Sequence, residues 1–153
     1  IRRGTPATLT LTGDGPLRDT VLAAIATSPH SHAFAAPGII DDMPKAYGDH
    51  DVVLLTSEFE ATPLAIGEAL ASGVAVVAPR IGGIPELVGD CGVLVDDPTP
   101  ASLADAITHF ADRDARLRAR SAGRERAMKM LGTGATTDRL LHIHRQVAAG
   151  AHT

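Results

Sequence analysis

Two glutamates, Glu60 and Glu68, flank the stretch "ATPLAIG". From Ala61 through Pro79, Glu68 is the one ionisable residue, and its surroundings read as the inside of a protein. A charge buried without a partner costs several kcal/mol or neutralises itself. Either the segment is less buried than it reads, or Glu68 has something to hold. Pro63 suits a helix N-terminus and Ser72-Gly73 its end. Glu60 then lies in the loop before the helix and Glu68 within it. The backbone N–H groups of Thr62, Leu64 and Ala65 fall at the helix N-terminus. Donors there are unpaired and the dipole favours negative charge, which makes an anion site. One carboxylate near the anion and one beyond it suit a ligand with phosphate in the middle and hydroxyls at both ends, the layout of a nucleotide sugar. The spacing fits a purely structural account equally well, with Glu60 capping the helix and Glu68 paired with an arginine.

The elements that would position these residues alternate. "ATLTLTG" (7–13), a short piece near Ala33–Ala35, "DVVLLT" (51–56), "VAVVA" (74–78) and "GVLVD" (92–96) read as strands. Helices are expected after Pro16, over 41–50, from Pro63 to Ser72, after Thr99 with Pro100 at its first position, over 112–130 and over 136–148. Apolar strands alternating with helices predict an α/β fold with a doubly wound parallel sheet, Rossmann-like. Ligands in such sheets bind at the carboxyl ends of the strands. Gly13–Pro16, Ser57–Leu64 and Pro79–Ile84 each follow a strand and should converge on one edge. Gly82 and Gly83 would let backbone approach a ligand closely or simply make a tight turn. Gly13 and Gly15 lack the full dinucleotide fingerprint.

Composition sets the bounds. The chain has 153 residues, 44% of them hydrophobic and 21% charged, enough for about one globular domain. The net charge of −4 argues against a general nucleic-acid binder. One cysteine excludes an internal disulfide and suits a reducing, cytoplasmic setting. No signal peptide is visible, and Ala61–Pro79 carries too many glycines and a charge to span a membrane. The arginines from Arg113 to Arg126 alternate with acids and read as a solvated helix face, with peripheral contact to an anionic membrane surface left open. His142 and His144 are two apart and diverge on a helix; Cys91, between Asp90 and Gly92, reads as small-residue packing. No metal site is expected. Since the chain starts at Ile1, a fragment of a longer protein is expected.

"EATPLAIGEALASGVAVVAPRIGGIPELV" resembles the C-terminal donor-binding domain of the retaining glycosyltransferases of group 1, or family 4, which have the GT-B fold. Glu60, Glu68, Gly73, Gly82, Gly83, Pro85 and Glu86 match the family's motif in order. "LTGDGPLRD" and "DMPKAYGDHDVVLLTS" resemble the segments upstream. The resemblance runs from about Ala7 to Ala127. It implies that Glu60 bonds hydroxyls of the transferred sugar, that Glu68 holds the ribose, and that the amides around Pro63, Leu64 and Ala65 meet the diphosphate. Gly13 to Gly15 and Ile40–Asp41 would lie near the phosphates and base. The donor would be a nucleoside diphosphate sugar bound without a metal cofactor, and the acceptor a carbohydrate, lipid or small molecule.

The family's Gly-Phe-Gly after the first glutamate is here Ala61-Thr62-Pro63, which reads as tuning of the donor pocket. The family's first β-α unit, with its phosphate-binding Arg and Lys, and its N-terminal acceptor domain are expected before Ile1, leaving this piece inactive alone. Residues 1–130 would then bind the donor, and 131–153 would form a helix crossing to the acceptor domain or pairing with a second copy. An unpaired "ATLTLTG" edge would also favour a homodimer. A non-catalytic nucleotide-binding or interaction domain and half of a sugar-nucleotide epimerase are the alternative readings.

Overall fold

The computed structural model describes residues 6–150. The chain divides into two compact units, Ile1–Ala46 and Tyr47–Thr153. In the first, strand β1 (Leu9–Thr12) and strand β2 (Phe34–Gly38) pair in parallel around helix α1 (Arg18–Thr27) and a single 3-10 turn at Ser31–Ala33. The second strand runs further than the sequence reading of Ala33–Ala35 and takes in Pro37. Proline has no ladder donor, and a bulge accommodates it: the register jumps from Thr10↔Ala35 to Thr12↔Gly38. Helix α2 (Met43–Gly48) follows, its first turn capped by Asp42, which accepts from the Lys45 N–H at 3.0 Å.

The second unit carries strand β3 (Val52–Leu54), helix α3 (Leu64–Ser72), strand β4 (Ala75–Pro79), helix α4 (Ile84–Val88) and strand β5 (Gly92–Val95). Its sheet is parallel in the order β3-β4-β5. The α/β class and parallel pairing follow from the alternating pattern, but ladder pairing gathers the strands into a two-stranded and a three-stranded sheet. Hydrophobic pattern marks strands, whereas their partners are a tertiary matter. Every residue of β4 is buried, as an all-apolar central strand requires. Ala75 and Val77 pack with Val95, Ala106, Phe110, Ala115 and Ala119 in the core.

Helices α5 (Pro100–His109), α6 (Arg113–Leu131) and α7 (Thr133–Gly150) complete the chain. Thr99 and Ser102 form a reciprocal capping box on α5. Asp112 accepts from the Ala115 and Asp114 amides, and these bonds hold its carboxyl below the ordinary carboxylate range. The thin apolar side of α6 is a stripe of Ala115, Ala119, Gly123 and Ala127, all buried. Small residues bring it close to α3: a Cβ at Gly123 would sit 3.0 Å from Leu70 Cδ2, and one at Gly67 2.8 Å from Leu131 Cδ1.

The reading of the α6 arginines as a solvated face holds for the exposed Arg113 and Arg118 and needs correction at three other positions. Arg116 donates to the Ala111 carbonyl at 3.1 Å and pairs with Asp51 at 3.3 Å. Arg124 donates to the Ser72 carbonyl at 3.1 Å, and Arg126 to Leu87 at 2.8 Å and to Glu86. These guanidinium groups satisfy carbonyls left over at the ends of α3 and α4. Spacing along α6 could not reveal it, because the acceptors lie about 40 to 50 residues upstream. Arg126→Ala should therefore cost about 1.5–3 kcal/mol, read as a lowered denaturant midpoint. Arg113→Ala in the same helix should stay within about 0.5 kcal/mol of the parent.

Candidate functional site

Sequence places Ser57–Leu64 after β3 and Pro79–Ile84 after β4, and in a parallel pair both loops leave at the same end of the sheet. The structure brings them into direct contact. The Gly83 N–H donates to the Ala61 carbonyl at 2.7 Å. Gly82 has φ +52, and a Cβ there would lie 1.7 Å from the Glu60 carbonyl oxygen. A Cβ at Gly83 would lie 2.4 Å from the Ala61 carbonyl oxygen. The close approach that glycine permits here is to the neighbouring loop, which is thereby fixed in place. The Gly13–Pro16 turn and Ile40–Asp41 belong to the first unit, where the Gly13 N–H donates to the Gly38 carbonyl at 2.8 Å.

Glu60 is half-buried, and its Oε1 accepts from the Ser57 hydroxyl at 2.7 Å. It does not cap α3, whose N-cap residue is Pro63 with no side-chain cap. Pro63 is buried with φ −72, suited to helix entry, and has no N–H of its own to offer. Leu64 and Ala65 begin the helix, and their amides lie in its unpaired first turn. Gly73 ends it in the left-handed conformation.

The placement of Glu68 explains how its charge is accommodated. Ile66, Gly67, Ala69 and Leu70 are buried, but Leu64 and Glu68, one turn apart, are exposed. The segment is therefore less buried than it reads. The partner of Glu68 is not an arginine: its Oε2 accepts from the Tyr47 hydroxyl at 3.0 Å. That hydroxyl also lies 3.3 Å from the Ala65 carbonyl. Burial first, then the bond to Glu68 and its charge, push the Tyr47 phenol up to about 12. At neutral pH it is a protonated donor.

Sequence reasoning passed over Tyr47 and Ser57. Tyr47 is the chain's one tyrosine, a faint signal, and Ser57 stands one turn's spacing before Glu60. Phe59, 87% exposed, and Leu64, 79% exposed, add bare apolar surface beside the two carboxylates. Cys91 is buried and its thiol raised by that burial, which suits packing. Among the described residues, no group of three His, Cys, Asp or Glu gathers as a metal site, and no helix is long and apolar enough to cross a membrane.

The family model "Glycosyl transferases group 1" matches residues 1–113, and the chain belongs to that family. It is 37% identical over 100 residues to D-inositol 3-phosphate glycosyltransferase of Thermomonospora curvata, covering 64% of this chain and 23% of the relative. It is 31% identical over 140 residues to the sulfoquinovosyl transferase SQD2 of Arabidopsis thaliana, covering 86% of this chain and 26% of that protein. The chain thus spans about a quarter of the length of these curated relatives. Among solved structures, a Rickettsia africae glycosyltransferase shares the fold with a TM-score of 0.85 at 21% identity, over 95% of this chain and 41% of that one. Sucrose-phosphate synthase from Thermosynechococcus elongatus gives 0.81 at 25% identity, over 94% and 39%. Anabaena HepE, crystallised with UDP and glucose, gives 0.74 at 25% identity, over 95% and 40%.

Two outcomes follow from the geometry. Gly82→Ala both clashes and strains a positive φ, and should lose more than about 1 kcal/mol of stability in denaturant unfolding. Gly134→Ala, where an added Cβ meets nothing within 4 Å, should gain about 0.5–1 kcal/mol in its helix. With one tyrosine and no tryptophan, ultraviolet absorbance reports the Tyr47 phenol alone. Its midpoint should fall from about 12 in Glu68→Gln but stay above 10, because burial, the largest cause, remains. The raised phenol stabilises the fold fully below pH 10, and that contribution disappears as pH climbs toward 12.

Proposed function

We propose that this chain is the donor-binding part of a retaining family 4 glycosyltransferase, which moves a glycosyl group from a nucleoside diphosphate sugar to an acceptor. The supporting observation is a pair of carboxylates held by separate hydroxyl donors, Ser57 on Glu60 and Tyr47 on Glu68, on either side of a helix N-terminus that no side chain caps. Hydroxyl-binding groups thereby flank an anion-binding one.

Glu60 bonds hydroxyls of the transferred sugar, and Glu68 bonds the ribose. The amides of Leu64 and Ala65, with Thr62 beside them and Pro63 setting the helix entry, meet the diphosphate and stabilise it as it leaves, without a metal. Gly82 and Gly83 hold the Glu60 loop at the donor. Gly13, Gly15 and Ile40–Asp41 serve the phosphates and base. Residues 1–130 bind the donor, and α7 reaches toward the acceptor-binding part. Its Leu140, Leu141, Ile143 and Val147 are exposed and available for that. A single cysteine suits a reducing, cytoplasmic setting.

Calorimetric titration of the chain with UDP, GDP and ADP tests the reading, with UDP first because HepE was crystallised with it. Glu68→Ala should weaken the bound nucleotide by about 1.5–3 kcal/mol, roughly tenfold to a hundredfold. Glu60→Ala should leave UDP affinity intact and weaken UDP-glucose, since it meets only the sugar. Unchanged nucleotide affinity in Glu68→Ala would remove the ribose from this site.

A further inference from the structure

The Tyr47 side chain is 6% exposed, yet its hydroxyl emerges at an exposed carboxylate 21 residues away in sequence. A phenol has one proton to give. The Ala65 carbonyl lies 3.3 Å away and sits in an α-helix, where it is already an acceptor; Glu68 Oε2 is nearer, at 3.0 Å, and charged. A charged acceptor takes the stronger bond. Tyr47 therefore bonds one oxygen of Glu68, and Oε1 accepts nothing among the described residues.

We propose that Tyr47 is a positioning residue for the donor nucleotide: its hydroxyl fixes the Glu68 carboxylate so that Oε1 is presented to the ribose hydroxyls. The inference rests on the reading above that Glu68 binds ribose. A glutamate on an open helix face samples many rotamers and must lose that freedom to hold a ligand. A donor anchored in the protein interior removes that freedom before the ligand arrives, which raises affinity by preorganisation. The raised phenol keeps the donor protonated across the physiological range. The same contact ties Tyr47 to α3 within the second unit, so a purely structural role must be separable from a positioning one.

Ribose discrimination separates them. The affinity ratio of UDP to 2′,3′-dideoxy-UDP is measured by calorimetry on the whole chain, wild type, Tyr47→Phe and Glu68→Ala. Phenylalanine keeps the buried ring and removes only the hydroxyl. Tyr47→Phe should shrink the ratio by about threefold to tenfold, with dideoxy-UDP binding unchanged. Equal weakening of both ligands means a structural tie and overturns the proposal. If Glu68→Ala abolishes the ratio while Tyr47→Phe preserves it, the proposal falls and the ribose reading stands. If Glu68→Ala preserves the ratio, the ribose reading falls first. A ligand-free measurement stands beside this one: NMR couplings should show one Glu68 rotamer in wild type and averaging in Tyr47→Phe. Averaging already present in wild type overturns the proposal.

Discussion

The Glu60 carbonyl oxygen leaves no room for a side chain at position 82. From that exclusion the arrangement of the candidate site follows. Two loops leave adjacent parallel strands, β3 and β4, and lie backbone to backbone, joined by the Gly83 N–H on the Ala61 carbonyl. A Cβ on either glycine would push them apart. The contact sets where Glu60 stands and where the chain enters α3, so it sets where the helix N-terminus points. The two glycines act by holding the neighbouring loop in place.

Everything beneath that edge keeps α3 rigid. β4 is buried end to end, and its alternate residues enter the core formed with α5 and α6. Small residues on α6 let it approach α3 closely, and Arg124 closes the C-terminal end of α3 by donating to Ser72. Arg126 does the same for α4. A helix fixed at its buried face and at its C-terminus offers its N-terminal amides and its open face in a constant geometry. That is the requirement for binding an anion by backbone donors, which cannot reach as side chains do.

The two carboxylates share a logic. Each is open enough to meet a ligand and each is tied by one hydroxyl, from Ser57 or from Tyr47. Neutral donors orient a carboxylate without cancelling its charge, which leaves it able to accept from sugar or ribose hydroxyls. An arginine in either place would have neutralised it. Bare apolar surface at Phe59 and Leu64 adjoins them.

Much of this was legible along the chain. The Pro63 and Gly73 boundaries, the Thr99 cap, the apolar strands and the spacing of Glu60 and Glu68 are local, and the physics that fixes them acts within a few residues. The motif around the glutamates and glycines also carried the family. The burial of Glu68 stayed open because an apolar run tells composition and not which face turns inward; α3 leaves Leu64 and Glu68 exposed. The partners stayed hidden for the same reason. Tyr47 meets Glu68, Gly82 meets Glu60 and Arg126 meets Leu87 across gaps of 21, 22 and 39 residues. Local propensity and spacing determined which segments are strands, helices and turns. Only the packing of distant segments decided that the glycines brace a loop, that the arginines close helices, and that a tyrosine holds the second glutamate.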